Sequence, residues 1–336
     1  MIILKVLLIN SDDGPDYLAD LINYFFITNN YEVYTNHKLK FLFEDYKDKN
    51  NLYGKGFTLY GKLSIELSNN VTELTVPQII DSINKYELII FTSIQRKYKS
   101  KAIREDLFFK IKQKTSDLNI IVIDGEDHVS LDQNIALTTS YFKRELISKN
   151  KNFANPISFA FPKFEIANND VKFQNKTQLL APMDPRFQNS YIYKSEFDYF
   201  DQYKKSLFAV TTKKAGWDCM RHYEILACNT LPFFPDINQK PELTMATYPT
   251  KLQIKANGIF AKLISSDENI DSLEEIRLKY PSKNYFSRGV KKTKKKLSSL
   301  NIIENNTNRL NKTSQEFQDW FENFGTTQSY KKLFKL

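Results

Sequence analysis

Residues 211–237, TTKKAGWDCMRHYEILACNTLPFFPDI, set turn residues, charges and an apolar pattern in an order that predicts strand, turn, helix and strand. Leu207, Phe208, Ala209 and Val210 lead in as the short apolar run of a buried strand. Lys213, Lys214, Ala215 and Gly216 follow as a basic turn. Asp218 stands where a side chain can cap a helix over residues 219–228. Met220, Tyr223, Ile225, Leu226 and Ala227 supply the buried side, while Arg221 and Glu224, three apart, share a polar face near the helix start. Asn229 closes the helix where glycine is commoner, and residues 231–234 read as the next strand, with Pro232 at its start and Pro235 at its end. Such a unit is an anion site, because open backbone N–H groups and the helix dipole both favour phosphate.

Upstream of this stretch the same alternation recurs. Residues 2–9 are apolar apart from Lys5, the pattern of a parallel strand buried on both faces. The turn NSDDGPD (10–16) follows, then Tyr17, Leu18, Leu21, Ile22, Phe25 and Phe26 at helical spacing, then a second strand over 31–35. This βαβ opening puts Asp12, Asp13 and Asp16 at the strand's carboxyl edge, where open α/β sheets bind ligands. Residues 36–70 form a long polar and aromatic excursion; within it LYGKGFTLYG (52–61) sets three glycines among aromatics, the pattern of an ordered loop beside a ligand or, equally, of a surface hairpin. Helices over 76–85 and 102–114 alternate with strands over 87–91 and 119–123, the second ending at Asp124-Gly125-Glu126-Asp127-His128. Residues 156–162 read as a last strand. The asparagine-rich, aperiodic 165–177 is expected to link a first domain, 1–164, to a second, 178–336. The second domain begins a new α/β series at 178–182, with a helix over 197–205, and residues 313–321 and 329–336 read as terminal helices, with Phe317, Trp320, Phe321 and Phe324 as an apolar stripe.

The composition has the balance of a soluble globular protein: 41% hydrophobic and 26% charged residues in a chain of 336. The glycine-rich dinucleotide fingerprint is absent, which argues against a nicotinamide enzyme. Cys219 and Cys228 fall on different faces of one predicted helix, fit neither a disulfide nor a metal site, and point to a reducing compartment. The apolar start is too short for a membrane span, so a cytoplasmic protein is expected. The net charge of +9 is concentrated in the run from Lys283 to Lys296 (KNYFSRGVKKTKKK), which fits peripheral contact with an anionic membrane, or less well nucleic acid, as against a solvated basic surface.

Two α/β domains with a phosphate-type turn and an Arg–Glu helix in the second resemble the GT-B glycosyltransferases, two Rossmann-like domains facing across a cleft. The likeness centres on Arg221-His-Tyr-Glu224-Ile-Leu-Ala-Cys-Asn229-Thr-Leu-Pro232, which is similar to the R-x-x-E-x-L-A-x-G-x-x-P donor helix of exostosin-like and related transferases. The resemblance implies transfer of a sugar from a UDP- or GDP-linked donor to a glycan, lipid-linked or other acceptor, with no cofactor and no obligatory metal. Glu224 would bind the ribose hydroxyls; Lys213, Lys214 and Arg221 would neutralise the diphosphate beside the Gly216 turn. Many retaining members carry a second Glu eight positions before the ribose-binding one, and Gly216 stands there, which leaves room for an inverting mechanism. An inverting enzyme needs a base from the first domain, and the strand-end candidates are Asp12, Asp13, Asp16, Glu126, Asp127 and His128, with Asp12, Asp127 and His128 taken first. His222, beside Arg221, could touch a phosphate or serve packing. A glucosyltransferase acting on DNA and a non-catalytic sugar- or phosphate-binding module stay open as alternatives.

Overall fold

The computed structural model describes residues 4–12, 14–96, 101–114, 119–162, 176–265 and 301–336. Asp13, most of the expected linker and the basic run from Lys283 to Lys296 lie outside these. Seven parallel strands form the first sheet: β1 Lys5–Ile9, β2 Glu32–Thr35, β3 Val71–Glu73, β4 Leu88–Phe91, β5 Ile120–Asp124, β6 Ser140–Lys143 and β7 Asn155–Pro156. Their order, β3-β2-β1-β4-β5-β6-β7, is the doubly wound arrangement of Rossmann-like sheets. β1, β4 and β5 are apolar almost throughout because helices cover both faces. Successive residues divide between two cores: Val6 and Leu8 enter one apolar cluster, Leu7 and Ile9 the other.

A separate sheet of three parallel strands, β8 Gln178–Leu180, β9 Ser206–Val210 and β10 Leu231–Phe233, runs in the order β10-β9-β8. Pro232 is tolerated because β10 is an edge strand paired only with β9, Pro232 lying opposite Ala209. Helices α1 Tyr17–Thr28, α2 Val76–Ser82, α3 Lys101–Lys114 and α4 Gln133–Ala136 belong to the first sheet; α5 Glu196–Lys204, α6 Met220–Ala227 and α7 Thr250–Ser265 accompany the second. One contiguous apolar cluster holds Val6, Leu8 and Phe25 together with Phe208, Ile225 and Phe260, so the two sheets share a core.

Sequence periodicity misses three features. β3 and β6 are too short and too polar to stand out, and the apolar 156–162 is not a strand: β7 is two residues long and Phe161 makes an isolated bridge to Thr326. The terminal helices, α8 Asn301–Trp320 and α9 Ser329–Leu333, bring the chain back to the first sheet. Phe334 stacks on Phe26 at 6.0 Å, and the Tyr330 hydroxyl donates to the Ser158 carbonyl. Of the apolar stripe, Phe317, Trp320 and Phe321 are buried and Phe324 is exposed. Among the described residues no helix is long and apolar enough to cross a membrane.

Candidate active site

The turn after β9 is built around a neutral histidine. His222 is fully buried; Thr211 hydroxyl and His222 Nδ1 are 2.8 Å apart, Nε2 lies 2.8 Å from the Trp217 carbonyl, and the ring stacks on Phe234 at 4.7 Å. Nε2–H therefore donates to Trp217 and Nδ1 accepts from Thr211, and burial holds the imidazole down to about 3. His222 is a packing residue that fixes the turn.

Asp218 does not cap α6. Cys219 holds the N-cap position without a side-chain bond to the helix, its Sγ donating instead to the Gly216 carbonyl at 3.5 Å, and Asp218 turns inward. Its carboxylate accepts from the Phe159 N–H at 2.6 Å and the Tyr223 hydroxyl at 2.9 Å, while its carbonyl accepts from Arg144 Nη1 at 2.5 Å. Burial raises the Asp218 carboxyl to about 6. Gly216 sits hard against the first-sheet wall: a Cβ there would fall 2.6 Å from Glu145 Oε1, 2.7 Å from Asp127 Oδ1 and 2.8 Å from Arg144 Nη1. A larger residue here would require these three side-chain ends to shift.

Arg221 and Glu224 sit one turn apart on α6 in unlike surroundings. Arg221 Nη2 donates to the Tyr191 hydroxyl at 3.0 Å, but Nε and Nη1 are buried with no hydrogen-bond partner, and no carboxylate among the described residues pairs with this guanidinium. Lys214 Nζ lies 4.7 Å above the same Tyr191 ring, and Lys213 Nζ lies 5.3 Å above Trp217. Glu224 is only 6% exposed rather than on an open polar face. Its Oε1 accepts from the Thr58 hydroxyl and its Oε2 from the Tyr199 hydroxyl, each at 2.5 Å. Burial raises the Glu224 carboxyl; these two bonds and Arg221 oppose the rise.

A cleft of about 1050 Å³ opens between this turn and the first sheet's carboxyl edge. One wall holds Lys214, Gly216, Asp218, Cys219, Arg221 and Glu224; the other holds Asp16, Arg96, Glu126, Asp127, Arg144 and Phe159. Leu52, Gly54, Lys55 and Phe57 of the glycine-rich loop, and Asn51 just before it, also line it.

No family model, no curated protein and no solved structure matches the chain.

The geometry sorts the sequence candidates for a base. Asp12 is exposed and lies outside the cleft lining, in the bend that follows β1. His128 is also outside the lining; its Nδ1 meets the Ser130 hydroxyl at 2.8 Å. Asp127 lines the cleft but is ion-paired with Arg144, and Asp16 caps α1 through Leu18 and Ala19 while pairing with Arg96 at 3.3 Å. Glu126 lines the cleft with no described residue hydrogen-bonded to its carboxylate, and burial, then Asp16 and Asp124, raise its pKa. Beneath it Lys143 Nζ donates to Asp124 Oδ1 at 2.8 Å and to the Glu126 carbonyl at 3.1 Å, while Tyr141 donates to Asp124 Oδ2 at 2.8 Å. Those bonds fix the backbone that presents Glu126. The sequence reading passed over Lys143, Arg144 and Glu145, a charged run that reads as surface, yet all three are 0–3% exposed. Arg144 ties the two walls together through Asp127, the Gly125 carbonyl and the Asp218 carbonyl.

Proposed function

We propose that the chain is a GT-B-like glycosyltransferase whose first domain, about residues 1–164, faces a nucleotide-sugar domain, from about residue 178, across this cleft. The observation that carries the reading is Arg221. Arg221 is half-buried, and its Nε and Nη1 are buried without a hydrogen-bond partner, an arrangement that is costly unless an acceptor such as an anion completes it. Here it lies on a cleft wall, one turn from Glu224 and across from Glu126.

In this reading Arg221 and Lys214 take the diphosphate of a UDP- or GDP-linked sugar, and Glu224 takes the ribose hydroxyls. Lys213, which faces Trp217 and is not part of the lining, acts on the diphosphate only at longer range. Glu126 replaces Asp12 and His128 as the proposed base: a carboxylate with a raised pKa, open to the cleft, accepts a proton more readily near neutral pH. The base removes the acceptor hydroxyl proton as that oxygen bonds to the sugar's anomeric carbon. The bond from that carbon to the diphosphate oxygen breaks, and its electron pair leaves on the diphosphate, where Arg221 and Lys214 stabilise the charge.

Calorimetric titration with UDP and GDP tests the donor site. The wild type is expected to bind one of them and Arg221→Ala to bind it at least tenfold more weakly. Absence of binding to the wild type, or unchanged affinity in Arg221→Ala, would sink the assignment.

A further inference from the structure

Loop 52–61 crosses from the first-sheet wall to helices α5 and α6 and is held there by several contacts. The Thr58 hydroxyl donates to Glu224 Oε1 at 2.5 Å, and the Thr58 N–H donates to Glu196 Oε1 at 2.7 Å. Lys62 Nζ pairs with Glu196 Oε2 at 2.8 Å, and Lys55 Nζ donates to the Tyr193 carbonyl at 2.8 Å. The Phe57 and Tyr199 rings lie 5.5 Å apart. The backbone adopts this shape against its own preferences. Besides Gly54, Gly56 and Gly61, Lys55 has φ +58° and Thr58 has φ +74°. A β-branched residue rarely occupies that region, and it stays there only when its surroundings hold it.

We infer that loop 52–61 is a self-ligating latch: the Thr58 hydroxyl occupies the place on Glu224 that a ligand hydroxyl takes, and ligand entry displaces it. The inference rests on the donor-site reading of Glu224. A buried carboxylate needs hydrogen-bond donors. Tyr199 supplies one from the neighbouring helix α5, but Thr58 comes from across the cleft, 166 residues away in sequence. A ribose hydroxyl has the same donor chemistry as Thr58. Arg221 has no such surrogate at Nε and Nη1, so the loop satisfies the hydroxyl subsite and leaves the phosphate subsite unpaired. Opening loses the loop's contacts but relieves the left-handed strain at Thr58 and Lys55, so the closed and open loops are closer in energy than the contact set alone suggests.

UDP and GDP titrated into the wild type, Thr58→Ala and Glu196→Ala test the latch, with each variant's melting curve checking its fold. Thr58→Ala leaves Glu224 short of a donor, and is expected to bind the nucleotide about three- to tenfold more tightly, the scale of one net hydrogen bond. Glu196→Ala frees the loop while leaving both hydrogen bonds to Glu224 in place, and is expected to tighten binding in the same sense, which keeps the test intact if Thr58→Ala does not fold. Saturating nucleotide should also speed hydrogen exchange of the wild-type amides at 54–61. Equal or weaker binding by the folded variants overturns the latch and leaves the donor site standing. Absence of nucleotide binding by the wild type overturns both.

Discussion

Glu126 and His222 are ionisable residues placed to opposite ends. Glu126 faces the cleft with a carboxyl whose pKa is raised by burial and by the acidic neighbours Asp16 and Asp124. Glu126→Gln is expected to lower turnover with a UDP- or GDP-linked sugar by about 10²- to 10⁴-fold, the usual worth of a general base, while leaving nucleotide affinity unchanged. In the wild type, turnover should fall on acidification through a pKa above the ordinary carboxylate range. Full activity in the Gln variant would remove the base from this residue. His222 is buried and held at about 3, well below its ordinary value of 6.5. A depressed pKa means that its stabilisation is complete above pH 6.5 and is lost as pH falls towards 3, at up to about 1.4 kcal/mol per pH unit. Asp218 works the other way: raised to about 6, its carboxyl destabilises the ionised fold above that value, and protonation relieves the cost as pH falls. Comparing wild type with His222→Gln by urea unfolding isolates the histidine. The stability gap between them should shrink from pH 7 to pH 4, and a gap independent of pH would refute the neutral, buried imidazole. At this scale the sequence placed Arg221 and Glu224 one turn apart on a helix, and only the family resemblance gave them roles. It could not show that Arg221 keeps two nitrogens without a partner while both oxygens of Glu224 are occupied, because Thr58, Tyr191 and Tyr199 are distant in sequence.

Between β9 and β10 local sequence signals and structure agree closely, except at the helix start. Helix α6 ends as Asn229 implied: Asn229 adopts φ +52°, its N–H donates to the Leu226 carbonyl, and the Thr230 N–H donates to the Ile225 carbonyl. That pair of bonds is the left-handed C-terminal motif in which glycine is usual. The Asn229 side chain also accepts from the Ser314 hydroxyl at 2.5 Å, fastening α6 to α8. Asn229→Ala is expected to cost about 1–2 kcal/mol from the left-handed backbone, with the lost Ser314 bond adding to it. Asn229→Gly should cost less, since it keeps the backbone and loses only the side-chain bond. Equal losses in urea unfolding would show that backbone conformation is not what Asn229 supplies. The start of α6 was misread because capping rules weigh only nearby N–H groups. The Phe159 N–H, the Tyr223 hydroxyl and Arg144 engage Asp218 more completely than the helix end does. β6 escaped for a related reason: Lys143 looks solvent-exposed until Asp124 is placed beside it by the adjacent strand.

Over the whole molecule, the repeated strand–helix alternation made the α/β class legible, whereas strand order and the joining of the two sheets depend on long-range contacts that periodicity does not encode. The joining has a thermodynamic consequence. The sheets share one apolar cluster, Arg144 bridges the cleft walls, and the chain's end returns to α1 and β6 through Phe334, which lies 6.0 Å from both Phe26 and Phe142. Elements coupled by a common core unfold together when the shared contacts outweigh what either part holds alone. The rings of the two tryptophans, Trp217 and Trp320, pack on second-sheet residues, Trp217 near Phe234 and Trp320 near Tyr223 and Tyr248, so their fluorescence reports chiefly on that side. Far-UV circular dichroism follows the helices of both sheets. The two signals are therefore expected to trace one urea transition. Phe334→Ala, which opens a cavity in a position only 5% exposed, should cost about 3 kcal/mol and move both signals to lower urea together. A variant in which the circular dichroism separates into two steps, with fluorescence following only one, would show that the sheets unfold independently and that α9 and Phe334 are a clamp on the first sheet rather than part of a common core.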